Sequence, residues 1–223
     1  MVLVGRDKER LRKAAGEFPD SIAIASDLSE SKAPERVAAS LKKHGLTVDL
    51  LVNNAGFGDR GYLFTADYGK TQGLISTNVS ALTLLTRFVL PDMIAKGSGR
   101  ILNVASTAAF QPGPLMTVYY ASKSFVLSFS VGLAVELEGT GVTVTALCPG
   151  PTETGFAKGA GTEGTALFRR TMAADQVARI GYQAALRGRR VVVTGLKNKI
   201  ATFVTSRLMS RAAAAKLARR VQE

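Results

Sequence analysis

Cysteine and histidine are nearly absent: Cys148 and His44 are the only ones in 223 residues. One cysteine excludes an internal disulfide framework and a cysteine-built metal cluster, and it suits a reducing compartment. The single histidine stands at a helix end just before Gly45. That place suits a partner for the helix dipole better than a catalytic base, which argues against a Ser-His-Asp hydrolase. No cluster of side chains has metal-ligand spacing. No uninterrupted apolar run reaches the ~18 residues of a membrane span. No basic segment leading into an apolar core opens the chain, so no secretory signal is expected and a cytoplasmic place is. Repeats and low-complexity tracts are missing, apart from the short run in "AAAAKLA". Acidic residues are scarce too: 17 against 29 Lys and Arg, a net charge of +12, with ten basic residues and one acid between Arg187 and Glu223.

What is present is a folded core. Hydrophobic residues make up 46% of the chain, which excludes a disordered tail. The length suits one sizeable core and not two. Short β-rich runs alternate with longer helical stretches. "VLVG" (2–5), "SIAIAS" (21–26), "VDLLVNNAG" (48–56), "RILNVAS" (100–106), "VTVTALCPG" (142–150) and "RVVVTG" (190–195) read as strands. Helices are expected from Asp7 toward Gly16, over 30–44, 68–95, 118–137 and 175–186, and in one basic helix over 197–221. Short strands separated by helices of ten or more residues imply βαβ units and a parallel sheet covered on both faces. The expected fold is α/β, a Rossmann-like doubly wound sheet in three α/β/α layers over residues 1–196, with a basic helical extension over 197–223. In such sheets ligands bind beyond the carboxyl ends of the strands, an edge that here collects Arg6, Asp27, "NNAG", Ser106 and "PGPTET".

Three groups on that edge carry chemistry. Tyr119 and Lys123 in "YYASK" are four residues apart, on one helix face. An ammonium near a phenol favours the phenolate and lowers its pKa, so the pair could make an acid or base. Tyr120 is the rival, but its own i+4 partner is Ser124, which offers no charge. Ser106, at the end of its strand, could bring a hydroxyl to the same substrate oxygen, with Thr107 beside it able to do similar work. "LVNNAG" lets backbone approach a flat ligand closely. Each group also has an ordinary reading, as packing, a turn cap and a turn.

Together "DL" (27–28), "NNAG" (53–56), Asn78, Ser106 with "YYASK", and "PGPTET" (149–154) stand in the order and spacing of the short-chain dehydrogenase/reductase family, which the chain resembles from Val2 to about Gly195. The stretch 103–130 looks especially similar to NAD(P)-dependent reductases grouped with the DltE-like proteins. The resemblance implies an oxidoreductase that transfers a hydride between nicotinamide and a carbonyl or alcohol carbon. It implies Tyr119 as acid/base, with Lys123 lowering its pKa and binding the nicotinamide ribose. Ser106 would orient the substrate oxygen, and Asn78 would hold a water that relays protons to Lys123. Asp27 and Leu28 would contact the adenine. Asn54, Ala55 and Gly56 would line the ribose side. Pro149, Gly150 and Thr152 would sit against the nicotinamide, Thr152 near its carboxamide.

Arg6 follows the first strand, with Lys8 and Arg10 behind it. Guanidinium there suits a 2′-phosphate, so NADP(H) is favoured over NAD(H), although Asp7 could serve an unmodified ribose. The 57–67 loop, residues 110–117 and the chain from Phe156 onward should frame the substrate, and Phe57, Tyr62, Phe110, Met116 and Phe156 suggest a small hydrophobic carbonyl or alcohol compound. Cys148 lies in a buried strand and is read as core. A homo-oligomer is expected, and nucleic acid is not, since no reading helix or stacking platform is visible. The basic end, with Ile200, Phe203, Val204, Leu208 and Leu217 among its cations, could be a solvated face, cover the substrate site, pack on another subunit or lie peripherally on an anionic membrane. Family members begin with a further strand and a glycine-rich phosphate turn. "MVLVGRDKERL" matches the strand after it, so the first βα unit is expected to be missing and the sheet to lack its central strand. A start that omits the unit is favoured over a genuine short form. A catalytically weak or inactive nucleotide-binding module, acting as sensor or scaffold, is the alternative function.

Overall fold

The computed structural model describes residues 1–222. It opens with β1 (Val2–Gly5), paired in parallel with β2 (Ile22–Ala25), Val2 opposite Ile22 and Gly5 opposite Ala25. Between them α1 (Lys8–Gly16) starts at Asp7, whose carboxylate accepts from the backbone N–H groups of Glu9 and Arg10. Such a cap stabilises a helix by about 1 kcal/mol. Helix α2 (Ala33–Lys43) starts three residues later than the 30–44 expectation, because Pro34 sits in its first turn, where a missing N–H costs nothing. It ends at His44, whose Nδ1 lies 2.8 Å from the Ser40 carbonyl, and Gly45 leaves it at φ +63°. The helix-end reading of His44 therefore holds.

Strand β3 (Leu50–Asn53) is followed by the expected long helical run, in three parts: α3 (Tyr68–Ile75), a π-helical turn over Ser76–Ala81, and α4 (Leu82–Lys96). Asp67 caps it by accepting from Lys70 N. A π turn inserts an extra residue, and the Val79 carbonyl within it accepts from both Leu82 N and Thr83 Oγ1, the latter at 2.8 Å. Next come β4 (Gly99–Val104), α5 (Thr117–Glu136) and β5 (Val142–Cys148). A small parallel pair, β6 (Thr152–Glu153) and β7 (Met172–Ala173), brackets α6 (Phe156–Ala160). Then α7 (Ala174–Leu186) leads to β8 (Val191–Val193). The expected single basic helix is two. α8 (Leu196–Phe203) runs into a π turn to Leu208, the backbone becomes extended at Met209, and the Ser210 hydroxyl caps α9 (Arg211–Gln222) by accepting from Ala213 N.

The main sheet has the order β3–β4–β5–β8, all parallel. Successive side chains alternate faces. Ile101 packs with Val89, Met93, Leu133 and Val144 under α4 and α5, while Leu102 packs with Leu147, Val177, Ala185 and Val192 under α7. That is the Rossmann-like, three-layer α/β fold. Helix α5 and the α3–α4 run are long and apolar enough to cross a membrane, and both pack on this sheet. A buried polar chain crosses one face. Asn53 Nδ2 donates to Thr86 Oγ1 (3.0 Å) and Asn103 Oδ1 (2.8 Å), and Asn103 Nδ2 donates to Ser130 Oγ (2.9 Å).

The strands do not form one continuous sheet. β1 and β2 form a separate two-stranded sheet, with no ladder between β1 and β3. The four main hydrophobic clusters draw nothing from residues 1–47. The first part of the chain is held mainly through α2, whose Ala33 and Val37 are buried and which packs on α4.

Candidate active site

The carboxyl ends of β4 and β5 are laced together where the chemistry was expected. Ala105 N donates to the Leu147 carbonyl and Thr107 N to the Pro149 carbonyl, both at 2.8 Å. Ser106 caps the short turn after β4, its Oγ accepting from Ala108 N. Helix α5 presents Tyr119 and Lys123 inward, 9% and 6% exposed. Burial pushes the Tyr119 phenol up to about 12, against a smaller downward pull from the Ser106 hydroxyl beside it. Lys123 Nζ donates to the Val104 carbonyl at 2.7 Å and stands 5.8 Å from the Tyr119 ring centroid. Burial pulls that amine down to about 8. The expected lowering of the phenol by Lys123 is not seen: burial is the largest influence and raises it, and Lys123 donates to a backbone carbonyl. At neutral pH Tyr119 is a protonated donor. The ring of Tyr120 lies against Gly113, where an added Cβ would come within 2.3 Å.

The remaining sequence-predicted residues form three groups. Asn54, Ala55 and Gly56 make an exposed turn after β3. A Cβ at Gly56 would lie 3.1 Å from Asn78 Oδ1 and 3.4 Å from Lys123 Nζ, so the turn, the π segment and α5 meet there. Asn78 is buried; its Oδ1 accepts from Phe57 N, and its Nδ2 donates to the Phe57 carbonyl and Ser122 Oγ, all within 3.1 Å. Pro149 and Gly150 join the Ser106 group through the Thr107 bond, and Thr152 Oγ1 donates to the Gly150 carbonyl at 2.9 Å. Arg6, Asp27 and Leu28 belong to the separate β1–β2 sheet. Asp27 Oδ1 accepts from Ser29 N and Ser29 Oγ, and those bonds, with help from the Arg6 charge, hold its carboxyl below the usual range.

The Gly56 turn, which carries no side chain, and the strand-end edge of the main sheet fit a nicotinamide laid along that edge, while the Arg6 guanidinium follows β1 in the separate sheet. Two contacts were not legible in the sequence. Asn198 of α8 packs on Gly150, where an added Cβ would come 2.3 Å from Nδ2, and that Nδ2 donates to the Thr194 carbonyl. Arg60 Nε and Nη2 donate to the Gln222 carbonyl at 3.0 and 2.7 Å, strapping the 57–67 loop to the end of α9.

The expected apolar frame is partly assembled. Phe57, Met116 and Phe156 cluster with Tyr119, Tyr120 and Leu74, and the Phe156 ring centroid is 5.2 Å from that of Tyr119. Phe110 and Tyr62 are elsewhere. Phe110 packs with Leu82, Ala105 and Val126 in the core, and Tyr62 is half exposed and stacked on Phe64. Cys148 is buried and its thiol pushed up to about 12 by burial, which keeps it an inert core residue. Among the described residues no group of three His, Cys, Asp or Glu could hold a metal.

A family model described as short chain dehydrogenase matches residues 1–164. The NADP-dependent 3-hydroxy acid dehydrogenase YdfG of Escherichia coli (strain K12) is 38% identical over 152 residues, 67% of this chain and 61% of that protein. The very-long-chain 3-oxoacyl-CoA reductase of Anas platyrhynchos is 35% identical over 159 residues, 67% of this chain and 50% of that protein. The chain thus spans less than two thirds of the length of these curated relatives. Among solved structures, a short-chain dehydrogenase from Sphingobium yanoikuyae in complex with NADPH matches with a TM-score of 0.81 at 29% identity, over 93% of this chain and 83% of that one. A 7beta-hydroxysteroid dehydrogenase shares the fold, with a TM-score of 0.85 at 23% identity over 97% and 85%. The family match, over most of the chain and across every motif that carries the site, places this protein in the short-chain dehydrogenase family.

Proposed function

We propose that the chain acts as an NADP(H)-dependent oxidoreductase on a small hydrophobic carbonyl or alcohol compound. The observation that carries this reading is the buried Tyr119 phenol, protonated at neutral pH, with Ser106 beside it and Lys123 one helical turn away. When bound, the nicotinamide supplies or accepts the hydride. The Ser106 hydroxyl donates to the carbonyl oxygen and fixes its position. Tyr119 donates its proton to that oxygen as negative charge develops, and takes one back in the reverse direction. Phe57, Met116 and Phe156 exclude water around the phenol. Lys123, beside Gly56, holds the ribose side together with Asn54 and Ala55. Asn78 braces that turn against α5 and lies where protons would pass toward Lys123. Pro149, Gly150 and Thr152 would support the nicotinamide, and Asp27 and Leu28 would flank the adenine.

The NADP(H) preference is supported by Arg6, by the NADP-dependent relative and by the NADPH-bound neighbour. A homo-oligomer fits the exposed Phe125, Val131 and Val135 of α5. The test is consumption of NADPH and of NADH with ketones and 3-oxo acids of increasing chain length. NADPH is expected to be used at least about tenfold more efficiently. Equal efficiencies would remove the NADP(H) assignment. Nucleotide binding without turnover of any carbonyl would overturn the enzyme reading in favour of a binding module.

A further inference from the structure

Helix α8 is built inside out. Its inward side carries Asn198, Thr202 and, past its end, Thr205, all buried or half-buried. Their polar groups are satisfied locally: Thr202 Oγ1 donates to the Asn198 carbonyl and Thr205 Oγ1 to the Thr202 carbonyl. The outward side carries Leu196, Ile200 and Phe203, spaced four and three residues apart and therefore on one stripe. They are 73%, 58% and 60% exposed, and Leu208 beyond them is 69% exposed. A helix of a globular protein places these types the other way round. The cations that flank the stripe, Lys197, Lys199, Arg207 and Arg211, are exposed, and none forms an ion pair among the described residues.

We propose that α8 and the turn after it dock on an anionic phospholipid surface. Leu196, Ile200 and Phe203 would enter the boundary between headgroups and acyl chains, and the four cations would meet the lipid phosphates. Charge selects this occupant over a second copy of the chain. A two-fold contact brings the same patch from both partners together, so it would set four cations against four cations around an apolar strip with no acid to separate them. The inference stands on the exposed face alone and does not depend on the redox reading.

The test uses the 223-residue chain and sedimentation with vesicles, either of phosphatidylcholine alone or with about a third phosphatidylglycerol. Binding to the anionic vesicles alone, weakening steeply with salt, is expected. Ile200→Ser with Phe203→Ser should abolish it. Lys197→Glu with Lys199→Glu should weaken it about tenfold or more, and circular dichroism should be unchanged in both. Equal binding to both vesicle types would overturn the proposal. So would absence of binding, or a dimer in light scattering that the Ile200/Phe203 variant dissolves without any vesicle binding by the parent. The lysine variant leaves the apolar stripe untouched, so it tests the same surface even if the serine pair disturbs folding.

Discussion

The strands before residue 48 and those after it are built to different standards. β4 is paired on both sides, backed by hydrophobic clusters on both faces and crossed by the Asn53–Asn103–Ser130 chain. β1 and β2 have only each other, α1 buries no side chain, and the unit is anchored mainly through α2, with Ala33, Pro34 and Val37 buried. A two-stranded sheet is marginal by itself. The proposed proton-transfer groups all belong to the well-built part, while Arg6, proposed to choose the cofactor, and Asp27, proposed to flank the adenine, belong to the weak part. Chemistry and cofactor choice are therefore expected to respond to different perturbations.

Hydrogen exchange reads the contrast most strongly. The amides of Ile101 and Val144 should exchange about a thousandfold more slowly than those of Leu3 and Ile24; equal protection would break the comparison. Side-chain deletions give the next effect. Asn103→Ala removes one buried hydrogen bond each from Asn53 and Ser130 and should cost about 1–3 kcal/mol in denaturant unfolding. Asp7→Ala, a lost cap in the weak part, should cost about 1 kcal/mol or less. Lys123 sharpens the picture through pH. Its amine falls from 10.5 to about 8 on folding, so its burial disfavours the folded state fully below pH 8, and that effect fades as pH rises toward 10.5. Lys123→Met should thus unfold at a higher temperature than the parent at pH 7, with the gain shrinking by pH 10, while turnover is lost. A gain that does not change with pH would contradict the burial account. In the weak part, Arg6→Ala should raise KM for NADPH about tenfold and leave KM for NADH and kcat nearly unchanged.

The order of strands and helices was legible because the periods of apolar residues are clear and Asp7, Pro34 and Gly45 punctuate them. The placing of the candidate site was legible because Tyr119 and Lys123 share one turn of one helix, and Ser106 and Asn54–Gly56 follow strand ends. What stayed hidden depends on contacts far apart in the chain. Nothing near Gly150 announces Asn198, and nothing near Arg60 announces Gln222. Phe110 and Tyr62 looked like pocket residues by loop position, but the side of a loop that faces the core is set by packing. The direction of the Tyr119 shift was missed for a related reason: spacing shows Lys123 nearby, while burial, which decides the sign, is a tertiary property. The break at Met209 was marked in the sequence only by Ser210, just ahead of the alanine-rich stretch that follows Arg211.

The most direct test of the central claim, that Tyr119 delivers the proton from the well-built part, is the kcat of Tyr119→Phe for NADPH-linked reduction of a ketone that the parent chain accepts. The substitution removes only the hydroxyl from a ring packed against Phe156 and Tyr120, so the fold should persist by circular dichroism. The account predicts a fall in kcat of about 10²–10⁴-fold with nucleotide binding retained. Turnover within about twofold of the parent, in a variant that still binds NADPH, would contradict it.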